Sequence, residues 1–138
     1  MTKKVFALVC LLAPAVLPAC GKAITSPSAI IGGVWKIRSF ETASGSVIGT
    51  TNTNGYTVSF LDGGRLAARA DCNTCTGGYA ISGDSLTVGS LACTKAICAS
   101  GSYDKLFLDI LSNATTFGVQ GIELSIVAQD YGTLRMIQ

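Results

Sequence analysis

The feature that most constrains this chain is an alternation of apolar and polar residues with a period of two, recurring in short runs over its C-terminal two-thirds. Tyr56, Val58 and Phe60 fall on one side of a run whose other side carries Thr57 and Ser59. Leu66, Ala68 and Ala70 oppose Arg65 and Arg69, and Ile122, Leu124 and Ile126 oppose Glu123 and Ser125. Successive side chains of an extended strand point to opposite faces, so each run buries one face and wets the other, as antiparallel strands do. Turn residues separate the runs: Thr51-Asn52-Thr53-Asn54-Gly55, Asp62-Gly63-Gly64, Ser82-Gly83-Asp84, and Gln129 to Gly132. Asp62-Gly63 between two alternating runs is the strongest hairpin signal among them.

One segment departs from the alternation. Tyr103, Leu106, Phe107, Ile110, Leu111 and Ala114 recur at helical spacing, which predicts a helix of about 12 residues with Ser102 as N-cap and Asp104 favourable in the first turn. Leu86 to Leu91 before it and Thr115 to Gln120 after it read as strands. The chain of 138 residues suffices for one core and is too short for two. The expected fold class is therefore mainly β, with about seven to eight strands and a single α-helix.

The N-terminus reads as a processing segment. Lys3 and Lys4 precede an apolar run from Val5 to Val16, which is too short to span a bilayer as a stable helix and is broken by Pro14. Leu17-Pro18-Ala19-Cys20 resembles the bacterial lipobox, in which the cysteine becomes the first mature residue and carries the lipid. The resemblance fits at Leu17, Ala19 and Cys20, whereas Pro18 stands where Ser, Thr, Ala or Val is usual. Residues 1–19 are thus expected to be a lipoprotein signal peptide and Cys20 the site of lipid attachment, palmitate included. Gly21 after the cysteine implies, by the sorting rule of enteric lipoproteins, the periplasmic face of the outer membrane. Residues 20–33 are rich in small residues and read as a lipidated, flexible tether with a reach of roughly 20 Å, followed by a domain over residues 34–138.

Removing the signal also removes Lys3 and Lys4, leaving eight basic residues against eight acidic ones. A neutral chain without a basic cluster lacks the electrostatic footprint that nucleic-acid binding needs. The sequence contains no histidine, which excludes Ser-His-Asp and Cys-His nucleophile systems and any imidazole metal site.

Cys72, Cys75, Cys93 and Cys98 remain in the expected domain. Their spacing alone would suit a four-cysteine zinc site. Export outside a reducing cytosol favours two disulfides instead. A redox pair at Cys72-Asn73-Thr74-Cys75 would need a helix N-terminus to depress the first thiol's pKa. Cys72 follows an alternating strand, and Thr76-Gly77-Gly78 after Cys75 reads as a turn. Spacing leaves all three connectivities open. A bridge from Cys72 to Cys98 would constrain the unfolded chain by roughly 3 to 4 kcal/mol on chain-entropy grounds.

Taken together, Trp35, Tyr56 to Phe60, Gly64-Arg65-Leu66, Asp71-Cys72-Asn73, Gly77-Gly78-Tyr79, Leu86-Thr87-Val88, Leu91 to Thr94 with Cys98, Leu106-Phe107 to Leu111 and Tyr131-Gly132 resemble the META domain, also called the HslJ-like domain, of bacterial envelope proteins. The family usually has Gly-Cys-Asn at Asp71-Cys72-Asn73 and commonly Met-Ala-Cys at Ala96-Ile97-Cys98. The resemblance implies a compact antiparallel, barrel-like sheet with the helix packed on it. Members with only two cysteines keep the equivalents of Cys72 and Cys98, which implies that these two pair and that Cys75 pairs with Cys93. The family is linked loosely to heat-shock, envelope stress and antibiotic tolerance, and its fold is similar to that of a lipid-binding pilot lipoprotein of type III secretion. No active-site motif comes with it.

Other candidate residues have plainer readings. Asp71 and Asn73 could form a polar ligand site, yet both residue types favour turns by bonding their own backbone. Trp35 reads as core, and Arg65 and Arg69 as a solvated face able to touch anionic headgroups. The carboxylates Glu41, Asp62, Asp71, Asp84, Asp104, Asp109, Glu123 and Asp130 are scattered, with no pair spaced for general acid and base work. Gly77-Gly78 does not open a helix and so cradles no phosphate. The expectation is a non-enzymatic, lipid-anchored envelope protein with no cofactor or metal and a structural, stress-related or partner-binding role. The alternatives are a carrier or chaperone for an apolar ligand held between helix and sheet, and a small protease or lysozyme inhibitor. Ala68 and Ala70 beside Leu66 leave either spare volume for such a ligand or room for a helix to come close.

Overall fold

The computed structural model describes residues 26–138; the expected signal peptide, the lipobox with Cys20 and the start of the tether lie outside the described residues. Among the described residues there are ten strands and one α-helix: β1 (Trp35–Thr42), β2 (Val47–Gly49), β3 (Tyr56–Leu61), β4 (Arg65–Ala70), β5 (Asn73–Ser82), β6 (Ser85–Val88), β7 (Ala92–Cys93), α1 (Asp104–Ser112), β8 (Thr116–Gln120), β9 (Glu123–Ala128) and β10 (Gly132–Ile137). Eight strands close an antiparallel barrel in the order β10-β9-β8-β6-β5-β4-β3-β1, with β10 returning to β1. β2 is added to β1 and β7 to β5. The two additions account for the difference from the expected seven to eight strands, since both are only two or three residues long.

Alternation builds the barrel as expected. Tyr56, Val58 and Phe60 on β3 and Leu66, Ala68 and Ala70 on β4 are buried, and each inward residue pairs across the hairpin with another, Val58 with Ala68 and Phe60 with Leu66. Trp35, Phe40, Phe60 and Phe107 are the largest fully buried side chains and fill the interior with Ile37, Leu124, Ile126, Leu134 and Met136. Closure between β1 and β10 brings Thr42 opposite Gly132, whose φ is 130°. A β-carbon on Gly132 would collide with the backbone carbonyl of Glu41, so only glycine fits where the barrel closes.

The barrel is weakest between β6 and β8, which share the single pair Ser85 and Thr116. Around it Leu86 donates its N–H to Thr115 at 3.0 Å and Phe117 to Asp84 at 2.9 Å. Helix α1 lies against β4, β6, β9 and β10, across one end of the barrel, and buries Phe107, Ile110 and Leu111 there. Its start is docked by an aromatic cluster in which Phe40 lies 5.3 Å from Tyr56 and 5.4 Å from Tyr103, and Tyr56 lies 5.7 Å from Phe107. The Tyr56 hydroxyl accepts the Tyr103 N–H at 2.8 Å.

Five local expectations change. The helix is nine residues long with Tyr103 at the N-cap position; Ser102 sits one residue earlier, its hydroxyl accepting the Asp104 N–H at 3.2 Å. Ile122 does not continue the inward row of Leu124 and Ile126: it lies in the turn between β8 and β9 and is exposed, because Gln120 pairs with Glu123 and leaves Gly121 and Ile122 as the loop. Gly77 and Gly78 form no turn but lie inside β5. A β-carbon at Gly77 would meet Leu91 and the carbonyl of Ser90, so glycine there admits the segment that follows β6. The strand read at Leu86 to Leu91 runs only over Ser85–Val88. Residues 27–33, expected within the tether, pack on the domain: Pro27–Ala29 form a 3-10 turn, Ile30 is fully buried, and Ile31 pairs in parallel with Phe60. Two adjacent isoleucines supply enough apolar surface to dock a segment that its small neighbours made look free.

Candidate functional site

Asp71, at the end of β4, adopts a φ of 56°, a left-handed conformation that Asp tolerates better than most residues. Its N–H donates to Gly55 at 2.6 Å, its carboxylate accepts from the Asn52 side chain at 3.1 Å, and its carbonyl accepts from Arg69 Nε at 2.9 Å. This reversal sends Cys72 outward and turns Asn73 into the protein. Cys72 is bonded to Cys98 and Cys75 to Cys93, with Cα separations of 5.4 and 4.1 Å. Cys75 and Cys93 face each other directly across β5 and β7. All four sulfurs are thereby occupied, which removes the zinc and the dithiol redox alternatives, and among the described residues no cluster of three or more metal-binding side chains occurs.

Among the described residues, Asn73 is the one buried polar side chain. Its Oδ1 accepts the Ala96 N–H at 2.8 Å and the Thr94 hydroxyl at 3.0 Å, while its Nδ2 donates to the Ala96 carbonyl at 3.1 Å. The carboxamide thus meets both backbone groups of one residue, as a neighbouring strand would. Thr94 adds a second link, its hydroxyl accepting the Thr74 N–H and its own N–H donating to the Thr74 carbonyl, both at 3.0 Å. Two disulfides, a carboxamide and a hydroxyl therefore hold a segment with no helix or strand of its own, residues 94–98. At its tip Ile97 is 100% exposed. A large aliphatic side chain fully in water on a rigidly held backbone is the most conspicuous surface feature near the cysteines.

The remaining candidates are structural. Trp35 is buried and donates its indole N–H to the Ile30 carbonyl at 3.0 Å, so it anchors the docked N-terminal segment. Arg65 and Arg69 share a face but lie near opposite ends of β4, Arg65 donating to the Asp62 carbonyl at 3.3 Å. Glu41 and Glu123 join Arg135 and Arg38 in a network on the outer face of β1, β9 and β10, with Arg38 to Glu123 at 2.6 Å and Arg135 to Glu41 at 3.1 Å. The network borders a groove of about 360 Å³ lined by Asp84, Thr116, Gln120, Glu123, Ser125 and Arg135 among others. Arg38, Arg135, Glu41 and Glu123 neutralise one another at partly exposed positions, and Asp84, in its exposed turn, is the one groove carboxylate outside that network. Asp109 pairs with Lys105 at 2.7 Å one helical turn away, the hydrogen bond and the charge of Asp109 raising the lysine's pKa. Tyr79 packs edge-on against Phe60 and donates its hydroxyl to the Leu61 carbonyl at 3.0 Å. Burial, and the charge of Asp62 secondarily, raise its pKa above the usual 10.0. The buried faces of Ala68 and Ala70 are on β4, against α1, so the small side chains let the helix come close. Sequence reasoning missed Tyr56 as the dock for the helix, Thr94 as a brace, and Ile97 as an exposed tip; in sequence, Ile97 is one more apolar residue beside a cysteine.

The fold has solved counterparts. An NMR structure of a protein from Burkholderia xenovorans superposes with a TM-score of 0.68 at 18% identity, covering 92% of this chain and 97% of that one. A crystal structure of a DUF4847 family protein from Bacteroides vulgatus gives a TM-score of 0.58 at 12% identity, covering 80% and 94%. At such identities the likeness concerns the fold alone. No curated protein matches the sequence. The META domain matches residues 28–138, a span that takes in the docked N-terminal segment and both disulfides.

Proposed function

The chain belongs to the META domain family, and from that premise we propose that it is a non-enzymatic, lipid-anchored protein of the bacterial envelope that binds a protein partner through the loop at residues 94–98. The observation that carries this reading is Ile97, wholly exposed on a backbone held by Asn73 and two disulfides. A side chain presented in advance on a fixed backbone loses little conformational freedom on binding, so its full apolar area is available to the complex. Lys95 and Ala96 beside it are also exposed. The lipobox-like Leu17-Pro18-Ala19-Cys20 supports anchoring through a lipid on Cys20, and Gly21 after it supports placement at the periplasmic face of the outer membrane. The carboxylates described above are dispersed, paired with cations or placed in turns, which supports a role without catalysis. A carrier role would need interior volume, and the interior is occupied by Trp35, Phe40, Phe60 and Phe107.

A photoreactive residue placed at position 97 in the full chain, expressed in intact cells, tests the partner reading. One dominant protein adduct is expected, absent when the probe sits at the exposed turn residue Gly83 and much reduced in the Cys72→Ala/Cys98→Ala variant. Equal labelling from both positions would sink it. The mass of the mature chain tests the anchor: acyl additions confined to Cys20 are expected.

A further inference from the structure

We infer that the end of the barrel carrying Val34, Leu61 and Ile122 rests on the surface of a phospholipid bilayer, leaving the Ile97 loop at the opposite end free; this rests on the lipid-anchor reading above. Pairing places the three residues together. Ile31 pairs with Phe60 and Gly32 donates its N–H to the Phe60 carbonyl at 3.1 Å, which sets the docked segment beside Leu61. Two residues later Gly33 abuts the Gln138 side chain, and Gln138 donates its N–H to the Ile122 carbonyl at 3.2 Å. The segment from Ile31 to Val34 therefore runs along the rim from Leu61 to Ile122. Val34 is 51% exposed, Leu61 36% and Ile122 68%.

The same rim is where the chain arrives from its N-terminus. Ile30 is fully buried beside Trp35, the first residue of β1, and the 3-10 turn over Pro27–Ala29 keeps Ser26 within a turn of it. Cys20 and Ser26 are six residues apart, and that length spans at most about 20 Å when fully extended. The eight residues of β1 run about 26 Å along the barrel wall. A lipid on Cys20 thus reaches a bilayer beneath the Val34 rim directly. Barrel strands tilt by about 35 to 45°, so the opposite rim, with Val47, Tyr131 and Ile97, stands roughly 20 Å away along the axis and is reached only by a fully taut tether. Exposed Lys36 and Arg65 flank the near rim, Lys36 two residues after Val34 and Arg65 paired across from Leu61, while exposed Asp62 in the turn between Leu61 and Arg65 offsets one of them, so the contact rests on its apolar residues rather than on charge.

The test uses the mature lipidated chain in vesicles of phosphatidylethanolamine and phosphatidylglycerol with acyl chains brominated close to the headgroup. Ile122→Trp and Val47→Trp place equally exposed reporters at the two rims, and the buried Trp35 is a constant background. The tryptophan introduced at position 122 is expected to lose roughly half of its emission, as an apolar side chain seated about 5 to 10 Å into the interface would, while that at position 47 stays unquenched. Equal quenching at both positions, or none at position 122 in a chain whose mass shows the acyl groups, overturns the docked orientation and leaves the anchor standing. A chain without acyl mass that fails to associate with vesicles overturns the anchor, and the orientation with it.

Discussion

Replacing Asn73 with alanine removes three hydrogen bonds from residues 94 and 96 at once. A buried hydrogen bond contributes about 0.5 to 1.5 kcal/mol net, and the loss is greatest when partners stay dry. Here Thr94 and Ala96 are exposed residues and can turn to water, which places each loss toward the lower end. The small cavity left by the carboxamide adds to it, for an expected total of about 2 to 3 kcal/mol. At about 2.1 cal/mol/K of unfolding entropy per residue, a domain of this size shifts its Tm by about 4 °C per kcal/mol, so Asn73→Ala should unfold about 8 to 13 °C lower by circular dichroism with both disulfides intact. Thr94→Val supplies the cross-check. In the native background it breaks the bonds to Asn73 and to the Thr74 N–H; in the Asn73→Ala background only the second remains to be lost. The double mutant should therefore cost less than the sum of the singles by about 0.5 to 1 kcal/mol. Strict additivity, or a loss for Asn73→Ala no larger than that for Thr94→Val, would refute the view that this carboxamide organises the loop.

The Cys72→Ala/Cys98→Ala variant should lose about 2 to 3 kcal/mol in reversible denaturation, less than the bridge's separation of 26 suggests, because Cys75–Cys93 already shortcuts the loop to about ten residues; Arg69→Ala, which loses one exposed bond to Asp71, should cost under about 1 kcal/mol, and equal effects would contradict the placement of the bridge. Gly132→Ala should cost at least about 3 kcal/mol, since it strains a φ of 130° and drives a β-carbon into the Glu41 carbonyl; a urea midpoint within error of the native one would mean the barrel does not close there. Tyr79 has a folded-state pKa above its unfolded 10.0, so its contribution is complete below that pH and is lost as pH rises through the folded value; as pH rises above about 10 the native chain should lose more stability than Tyr79→Phe, and identical slopes would remove burial of the phenol as the cause.

Much of this fold was legible locally. Tyr56, Val58, Phe60, Leu66, Ala68 and Ala70 all point inward as their alternation predicts, and Phe107, Ile110 and Leu111 form the buried face of α1. The signal failed where a residue's surroundings outweighed its neighbours in sequence. Ile122 continues the alternation perfectly yet lies in a two-residue turn, because register is set by Gln120 pairing with Glu123. Gly77 and Gly78 look like a turn until the chain after β6 is seen to pass over them. At the site, Asp71 and Asn73 were visible as turn-forming residues, but which carbonyl and hydroxyl the Asn73 carboxamide would meet depends on a loop more than 20 residues away.

The sequence by itself determined the class of the protein: period-two patterning makes strands, one stretch of helical spacing makes one helix, and the absence of histidine removes the catalytic systems that depend on imidazole. These properties follow from steric and solvation preferences that act over a few residues. Tertiary structure decided the closure of β1 onto β10, the docking of Ile30 against Trp35, the pairing of the cysteines and the full exposure of Ile97. Each joins or separates residues by contacts that depend on the whole barrel. Closure brings together strands almost a hundred residues apart, and no local preference records which distant surface a residue will meet.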